Sequence, residues 1–478
     1  MPEYEPVVGM ECHAELLTES KMFCGCKNEF GGEANTRCCP VCLGMPGALP
    51  VMNKKAVEHV IRTALALNCE ITPNAKFDRK NYFYPDLPKG YQISEYDLPI
   101  GVKGWLDVEV NGETKRIHIR RVHLEEDTGK LFHVLGDESC VDLNRSGVPL
   151  MEIVTDFPPD IHSAEEARAY LTKLRAILTY IGVCDGKMEE GSLRCEPNVS
   201  VREVGSDKFG TKTEIKNLNS FRAVYKGIEF EVERQADVIE SGGKIVQETR
   251  GWNDAKQITF SQRSKEGEQE YRYFPEPDLL PLELTEEWIS EIRASMPELP
   301  DARRTRFVEA YGISLYDATV LTDSRQLADY YEQVVLACND PKVAANWVMG
   351  DLARLLNANN TEIVNCPIVP EQLAVMVTRI QDGTISGKIA KTLIEEMYTT
   401  GGATDAIIEE KGWKTVKDTG AIVAILEKVF AENAAIVADI KEKGLVQKKG
   451  FLVGQVMKAS QGKADPKEVN RLIDDLLK

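Results

Sequence analysis

The chain has 478 residues, is 43% hydrophobic and 28% charged, and carries a formal net charge of −18. These are globular values, so disordered and fibrous classes are excluded, and the length exceeds one ordinary core, which predicts two to four domains. The negative balance excludes a protein coated in nucleic acid, although not a local basic patch.

The first residues, Met1-Pro-Glu-Tyr-Glu-Pro, are acidic and lack the basic and apolar regions of a signal peptide. No apolar run approaches the roughly 20 residues that span a bilayer. The expectation is a cytoplasmic protein with no membrane partner. Residues 1–290 read as an α+β domain with a mixed, mainly antiparallel sheet. Strand patterns of β-branched residues fall at 7–17, 105–110, 115–124 and 192–203, and helical runs at 54–67, 163–181 and 220–241. The second helix opens Ser163-Ala-Glu-Glu166, a capping box with Ser163 as N-cap and Glu166 three residues on. The Pro-rich stretch Phe274-Pro-Glu-Pro-Asp-Leu-Leu-Pro281 reads as the hinge that ends this domain. Beyond it, 291–405 reads as an all-helical middle domain and 406–478 as a small helical tail, with Gly401-Gly402 between them. Residues 441–478 hold nine Lys or Arg against five Asp or Glu, a local basic surplus suited to phosphate.

Five of the twelve cysteines fall within 19 residues. Cys24-Gly-Cys26 and Cys39-Pro-Val-Cys42, 12 residues apart, supply two close pairs on tight turns, the pattern that delivers four thiolates to a tetrahedral zinc. With no open position, such a zinc is structural. Cys38 is a fifth candidate, but Cys39 begins the C-x₂-C pair.

Glu11-Cys-His13-Ala-Glu15 lies on the first strand, and alternation puts Glu11, His13 and Glu15 on one face. Burying such a face is costly unless its charges are paired or metal-bound. His123-Leu-Glu-Glu-Asp127 is a second cluster, in which simple alternation groups His123, Glu125 and Asp127. A third, Glu189-Glu-Gly-Ser-Leu-Arg-Cys-Glu196, completes a site if the sheet brings it near. Carboxylates with one imidazole suit a hard divalent cation such as magnesium. Lys76-Phe-Asp-Arg-Lys-Asn-Tyr-Phe-Tyr-Pro-Asp86 mixes cations with aromatics. Arg79, Lys80 and Lys89 are candidates for phosphate contact there, with Lys80 the candidate catalytic cation, and Arg145, Arg194, Lys212, Lys216 and Arg272 are further ones. No phosphate-binding P-loop, no GxGxxG after a strand, no kinase signature and no nucleophile elbow occurs.

Taken together, Glu11-Cys-His-Ala-Glu-Leu, Cys39-Pro-Val-Cys-Leu-Gly-Met-Pro-Gly47, Phe77-Asp-Arg-Lys-Asn-Tyr-Phe-Tyr-Pro-Asp86, His123-Leu-Glu-Glu-Asp-Thr-Gly-Lys130 and Lys216-Asn-Leu-Asn-Ser-Phe221 resemble the B-subunit family of the Asp/Glu-tRNA amidotransferase. So do Tyr271-Arg-Tyr-Phe-Pro-Glu-Pro-Asp-Leu279, Asn346-Trp-Val-Met-Gly-Asp-Leu352 and the tail's Gly454-Gln-Val-Met-Lys458, and the likeness covers essentially the whole chain. The resemblance implies a subunit that holds misacylated Glu-tRNA(Gln) or Asp-tRNA(Asn), phosphorylates its side-chain carboxylate with ATP and magnesium, and amidates it with ammonia from a partner amidase subunit. A small third subunit completes the complex, and the tail domain meets the tRNA. It also implies that Glu11, His13 and Glu126 are metal ligands, with a bend before Gly129 reconciling Glu126 with alternation. Glu196 stands where the family usually has Asp, a longer carboxylate still able to reach the metal. Gln269-Glu270 stands where a His-Asp pair is common. The competing reading is a zinc-stabilised RNA-binding scaffold without chemistry of its own.

Overall fold

Residues 10–15 alternate polar with small or apolar side chains, and with the β-branched stretch before them they form strand β1 (Tyr4–Glu15). Met10, Cys12 and Ala14 are fully buried on one face while Glu11, His13 and Glu15 occupy the other. In the computed structural model, which describes residues 4–133, 138–264, 271–415, 419–443, 448–460, 464 and 466–477, this strand lies mid-sheet. The pair Gln269-Glu270 lies outside the described residues.

The other strands of this sheet are β2 (Glu70–Ile71), β3 (Asp78–Asn81), β4 (Tyr91–Ser94), β5 (Gly101–Val110), β6 (Glu113–Glu126), β7 (Pro149–Thr155), β8 (Leu193–Glu203), β9 (Thr213–Lys216), β10 (Glu248–Asn253), β11 (Ile258–Ser264) and β12 (Phe274–Pro275). Their order is β11-β10-β9-β8-β1-β7-β6-β4-β3-β12, with β5 beside the outer part of β6 and β2 beyond β5. Neighbours run antiparallel except β9 and β10, which are parallel. A parallel pair needs a crossover, and helix α3 (Phe221–Glu240) supplies it.

Helices α1 (Lys54–Ala66), α2 (Ala164–Tyr180) and α3 pack on the apolar side of the sheet. Val60, Ile61, Leu171, Leu174, Leu178, Val224 and Ile228 join Met10, Cys12, Val122, Leu124, Ile153, Val199 and Ile215 in one core. Each large aliphatic side chain so buried contributes about 1.5–3 kcal/mol. The helix starts follow the sequence. Ser163 Oγ accepts from Glu166 N (3.1 Å), and Ser220 Oγ does the same for Ala223 N (3.1 Å). Glu166 reaches back one residue further than a capping box requires, accepting from His162 N at 2.6 Å.

The Pro-rich stretch is not a hinge. Phe274 and Pro275 pair with Arg79 and Asp78 at the sheet edge, a place where a proline without its N–H is tolerated. Leu282–Glu283 pairs with Asn74–Ala75, and helix Glu286–Ala294 buries Ile289 and Ile292 in the same core. The first unit therefore runs Met1–Leu299, past the expected boundary at 290, and the second is Pro300–Lys478.

Among its described residues the second unit has helices and connecting turns, with a single bridge position at Ala464 and no strand. Gly401 closes helix Gly387–Thr400 with φ 64°, its N–H donating to Met397 O at 2.9 Å. The division expected at 405 falls within helix Thr404–Glu410, whose Ile407 and Ile408 are buried. Further on, Ile422, Leu426, Val429, Leu452, Val456, Val469 and Ile473 build a separate apolar cluster. Among the described residues no helix is long and apolar enough to cross a membrane.

One buried acid stands out in the first unit. Glu95 Oε2 accepts from Leu124 N (3.1 Å) and Ile100 N (3.2 Å), while its Oε1 is buried with no hydrogen-bond partner among the described residues. Burial pushes this carboxyl up to about 8. A carboxyl raised in the folded state contributes stability that is complete below its unfolded value and lost as pH rises toward 8. Glu95→Gln is therefore expected to remove that slope, so that its melting temperature gains on the unsubstituted chain between pH 5 and 8.5. Parallel melting curves over that range would contradict it.

Candidate active site

The polar face takes its residues from six adjacent strands by register alone. Glu11 faces Glu196 and His13 faces Arg194 across β1 and β8, while His13 also faces Glu152 across β1 and β7. Glu152 faces His123 across β7 and β6, Glu125 faces Ser94 of β4, and Asn198 of β8 faces Glu214 of β9. Directly opposed residues share a face, so these side chains converge.

They converge on two donor groups. His13, Glu125 and Glu152 each place one ligand atom within 4.8 Å of the others, and so do Glu11, Glu196 and Glu214. In the first group His123 Nε2 lies 3.1 Å from Glu152 and 3.7 Å from Glu125, His13 Nε2 lies 3.8 Å from Glu152, and Ser94 Oγ donates to Glu125 at 3.0 Å. In the second, Asn198 Nδ2 donates to Glu11 (2.8 Å), Thr249 Oγ1 to Glu214 (2.7 Å) and Lys216 Nζ to Glu196 (2.6 Å). Both sets are oxygen-rich with at most one imidazole, the donor chemistry of a hard divalent cation.

The electrostatics follow from burial among partners. Burial alone would raise Glu125 and Glu152, but the His123 imidazole beside them brings both below the usual carboxylate range. The same burial would lower His123, yet Glu152 and Glu125 push it up to about 9. Burial would lower Lys80, but the neighbouring charges, led by Glu125 and including Glu152, together hold it well above its ordinary value. His123 Nδ1 is buried with no hydrogen-bond partner among the described residues. Glu11, His13, Glu152, Glu196 and Glu214 line one cleft of about 610 Å³, with Lys80, Lys212 and Lys216 also in its wall. Glu125 is buried against Ser94 and His123, which line the same cleft.

Of the site residues read from the sequence, the structure brings Glu11, His13, Lys80 and Glu196 to this cleft. It does not bring Glu126. That side chain lies on the opposite face, where it accepts from Ile93 N (2.9 Å) and is ion-paired with Lys89, whose ammonium also lies 5.5 Å from the Tyr91 ring centre. The reason is strand alternation: β6 stays regular through Glu126, and the register shift against β7 sits at Val154/Thr155, far from Gly129. Arg79 is likewise turned away, its guanidinium held by Glu276 (2.8 and 2.9 Å) and Asp278 (3.1 Å). Arg194 is ion-paired with Asp127 and lies 3.9 Å from Glu15. Burial and the Asp127 charge push Glu15 up to about 8.

Glu125 entered the sequence reading only through alternation, and Glu152 and Glu214 did not enter it. Their signal was present: Glu152 is the one charge in the apolar run Pro149-Leu-Met-Glu-Ile-Val154, and Glu214 alternates with Lys216 in Thr213-Glu-Ile-Lys216. A charge kept inside such a strand needs a partner, which marks it as a site candidate.

The thiol cluster lies apart from the cleft lining. Cys42 Sγ is 3.6 Å from Cys24, 3.8 Å from Cys39 and 4.0 Å from Cys26, and all four lie within 4.8 Å of one another. Hydrogen bonding from Cys24, with the Lys21 ammonium 3.5 Å away, holds Cys42 down at about 4 against its burial. Cys38 turns aside and donates to Asn35 O at 3.1 Å. Four convergent thiols fit a closed four-coordinate metal site.

Fold and site define an α+β protein organised round a carboxylate-lined sheet cleft. Residues 6–290, which hold both donor groups and the cysteines, match the family model described as the GatB/GatE catalytic domain, and residues 329–477 match the one described as the GatB domain. The aspartyl/glutamyl-tRNA(Asn/Gln) amidotransferase B subunit of Carboxydothermus hydrogenoformans is 55% identical over 100% of this chain and 99% of its own length. Proteins of the same name from Thermoanaerobacter sp. (54%, 99% of each chain) and Brevibacillus brevis (55%, 100% and 99%) are similar throughout. The chain belongs to this family of amidotransferase B subunits, ligase components of a multi-subunit, tRNA-dependent amidotransferase.

Proposed function

We propose that the cleft activates the side-chain carboxylate of Glu on tRNA(Gln), of Asp on tRNA(Asn), or of both, by transfer of the terminal phosphoryl group of ATP. A carboxylate resists ammonia because oxide is a poor leaving group. In the reaction a carboxylate oxygen bonds to the γ-phosphorus as ADP departs, and ammonia then bonds to the carbonyl carbon as phosphate departs. The ammonia comes from a partner amidase subunit, and a small third subunit completes the complex. The observation that carries the reading is the pair of donor groups in one cleft with Lys80 and Lys216 beside them.

Magnesium at these groups would offset phosphate charge and orient the phosphoryl group. The chain's own residues prepare the cleft for it. His123 holds Glu125 and Glu152 together, Ser94 fixes Glu125, and Asn198 and Thr249 fix Glu11 and Glu214. Such neighbours set ligand orientation. Lys80 supplies a fixed positive charge toward phosphate oxygens. In this reading Glu125 and Glu152 take the ligand role that the resemblance gives to Glu126. The four cysteines hold a structural zinc that braces the loop of residues 21–42 and takes no part in the reaction.

In the reconstituted complex, ADP release driven by misacylated tRNA is expected to fall at least about 100-fold in Glu125→Gln and Glu152→Gln, with tRNA affinity little changed. Glu126→Gln is expected to retain that ADP release. The opposite pattern, Glu126→Gln silent and Glu125→Gln active, would overturn the assignment. Elemental analysis is expected to return one zinc per chain, lost in Cys39→Ser with a fall in melting temperature. A fully stable chain purified without zinc would remove that metal from the picture.

A further inference from the structure

The side chain of Lys21, just ahead of the first cysteine pair, is wholly buried. Its ammonium has three neighbours: Ser146 O at 2.8 Å, Leu143 O at 3.3 Å and Cys42 Sγ at 3.5 Å. No carboxylate forms an ion pair with it among the described residues. The acid that shares its surroundings near Gly147 is Glu126, and that carboxylate is taken by Lys89. A buried ammonium needs negative charge close by. Carbonyl oxygens offer lone pairs but no net charge, so the sulfur side must supply it.

Cys42 is suited to that part. Cys24, Cys26 and Cys39 are partly open to water, whereas Cys42 is buried, and its sulfur lies within 4.0 Å of the other three. Thiols that ligate a divalent cation are deprotonated, so four of them round one such cation leave negative charge in excess. Water reaches the outer sulfurs, and at Cys42 the Lys21 ammonium takes water's place. The same ammonium fastens the cysteine loop to residues 143–148. Ser146 N donates to Leu143 O at 3.1 Å, Ser146 Oγ to Cys42 O at 3.3 Å and Met22 N to Gly147 O at 2.7 Å. Gly147 N donates in turn to Asp127 O at 2.9 Å, and Pro149 opens β7, the strand that carries Glu152.

We propose that Lys21 is the internal counter-cation of the four-cysteine site, a positioning residue whose charge balances the thiolate at Cys42 and ties the loop to the segment that opens β7. The inference rests on the reading that these cysteines hold zinc. It goes beyond that reading by assigning the charge balance of the site to a residue outside the ligand set. Partners of this kind set both the basicity and the orientation of a ligand.

The test uses the full chain in the reconstituted complex, loaded with zinc or with cobalt in its place. Lys21→Met is expected to speed removal of zinc by excess chelator about tenfold, the size of one lost outer partner of a ligand. Its cobalt form is expected to show the thiolate-to-metal charge-transfer band at longer wavelength, because a sulfur without a neighbouring cation gives up an electron more readily. Lys21→Gln keeps an N–H donor without the charge and is expected to match Lys21→Met in both. Unchanged release and an unmoved band in Lys21→Met overturn the proposal. So does Lys21→Gln behaving like the unsubstituted chain, which leaves hydrogen bonding as the whole contribution. Lys21→Met is also expected to lower the melting temperature more in the zinc-loaded chain than in a Cys42→Ser background, where the ammonium has lost its partner; an equal fall in both contradicts the charge pair. An unsubstituted complex that binds neither zinc nor cobalt defeats the zinc reading itself, a result seen before any variant is made.

Discussion

Everything in the first unit depends on the two-residue period of an antiparallel strand. Over Met10–Glu15 of β1 apolar and polar residues alternate, so a single strand supplies both a core face and a face of ionisable groups. The apolar face is closed by three helices, and the other face then holds carboxylates in a partly enclosed cleft. Isolated carboxylates there would be expensive, and a removed partner leaves an uncompensated charge. The sheet solves this by meeting every acid with a hydrogen-bond donor, a cation or a neighbour able to share a metal. What is needed for stability therefore also prepares the chemistry.

The same rule separates two neighbouring glutamates into different roles. Glu125 lies on the cleft side of the sheet, buried where Ser94 and His123 hold it, and Glu126 faces the other side, where Ile93 N and Lys89 hold it. A one-residue slip of β6 would exchange them, and the pairing of β6 with β7, regular from Val122 to Glu126, prevents the slip. The Lys89–Glu126 pair thus belongs to the cysteine side of the sheet, near Phe23, and not to the donor groups.

Much of this was legible in the sequence because it is local. The strand at 7–17, the helices at 54–67, 163–181 and 220–241, and the Ser163 cap all follow from spacing within a few residues. The cysteine cluster was legible for the same reason, since two short pairs carry their own geometry, including the exclusion of Cys38. What sequence alone did not supply was lateral. Glu152 and Glu214 acquire meaning only when β7 and β9 are laid beside β6 and β8, and strand order is set by contacts far apart along the chain. The Pro-rich segment misled for a related reason: proline ends a central strand but is acceptable at an edge, and only the assembled sheet identifies Phe274–Pro275 as an edge. Where alternation and family likeness disagreed, over Glu125 and Glu126, alternation described the local geometry.

The most direct measurement is anomalous diffraction from crystals of the complex soaked with manganese in place of magnesium. Manganese is expected within coordination distance of His13, Glu125 and Glu152, and of Glu11, Glu196 and Glu214, with none at Glu126. A cation bound at Glu126, or no ordered manganese on the cleft face, would contradict the convergence of these acids on a metal.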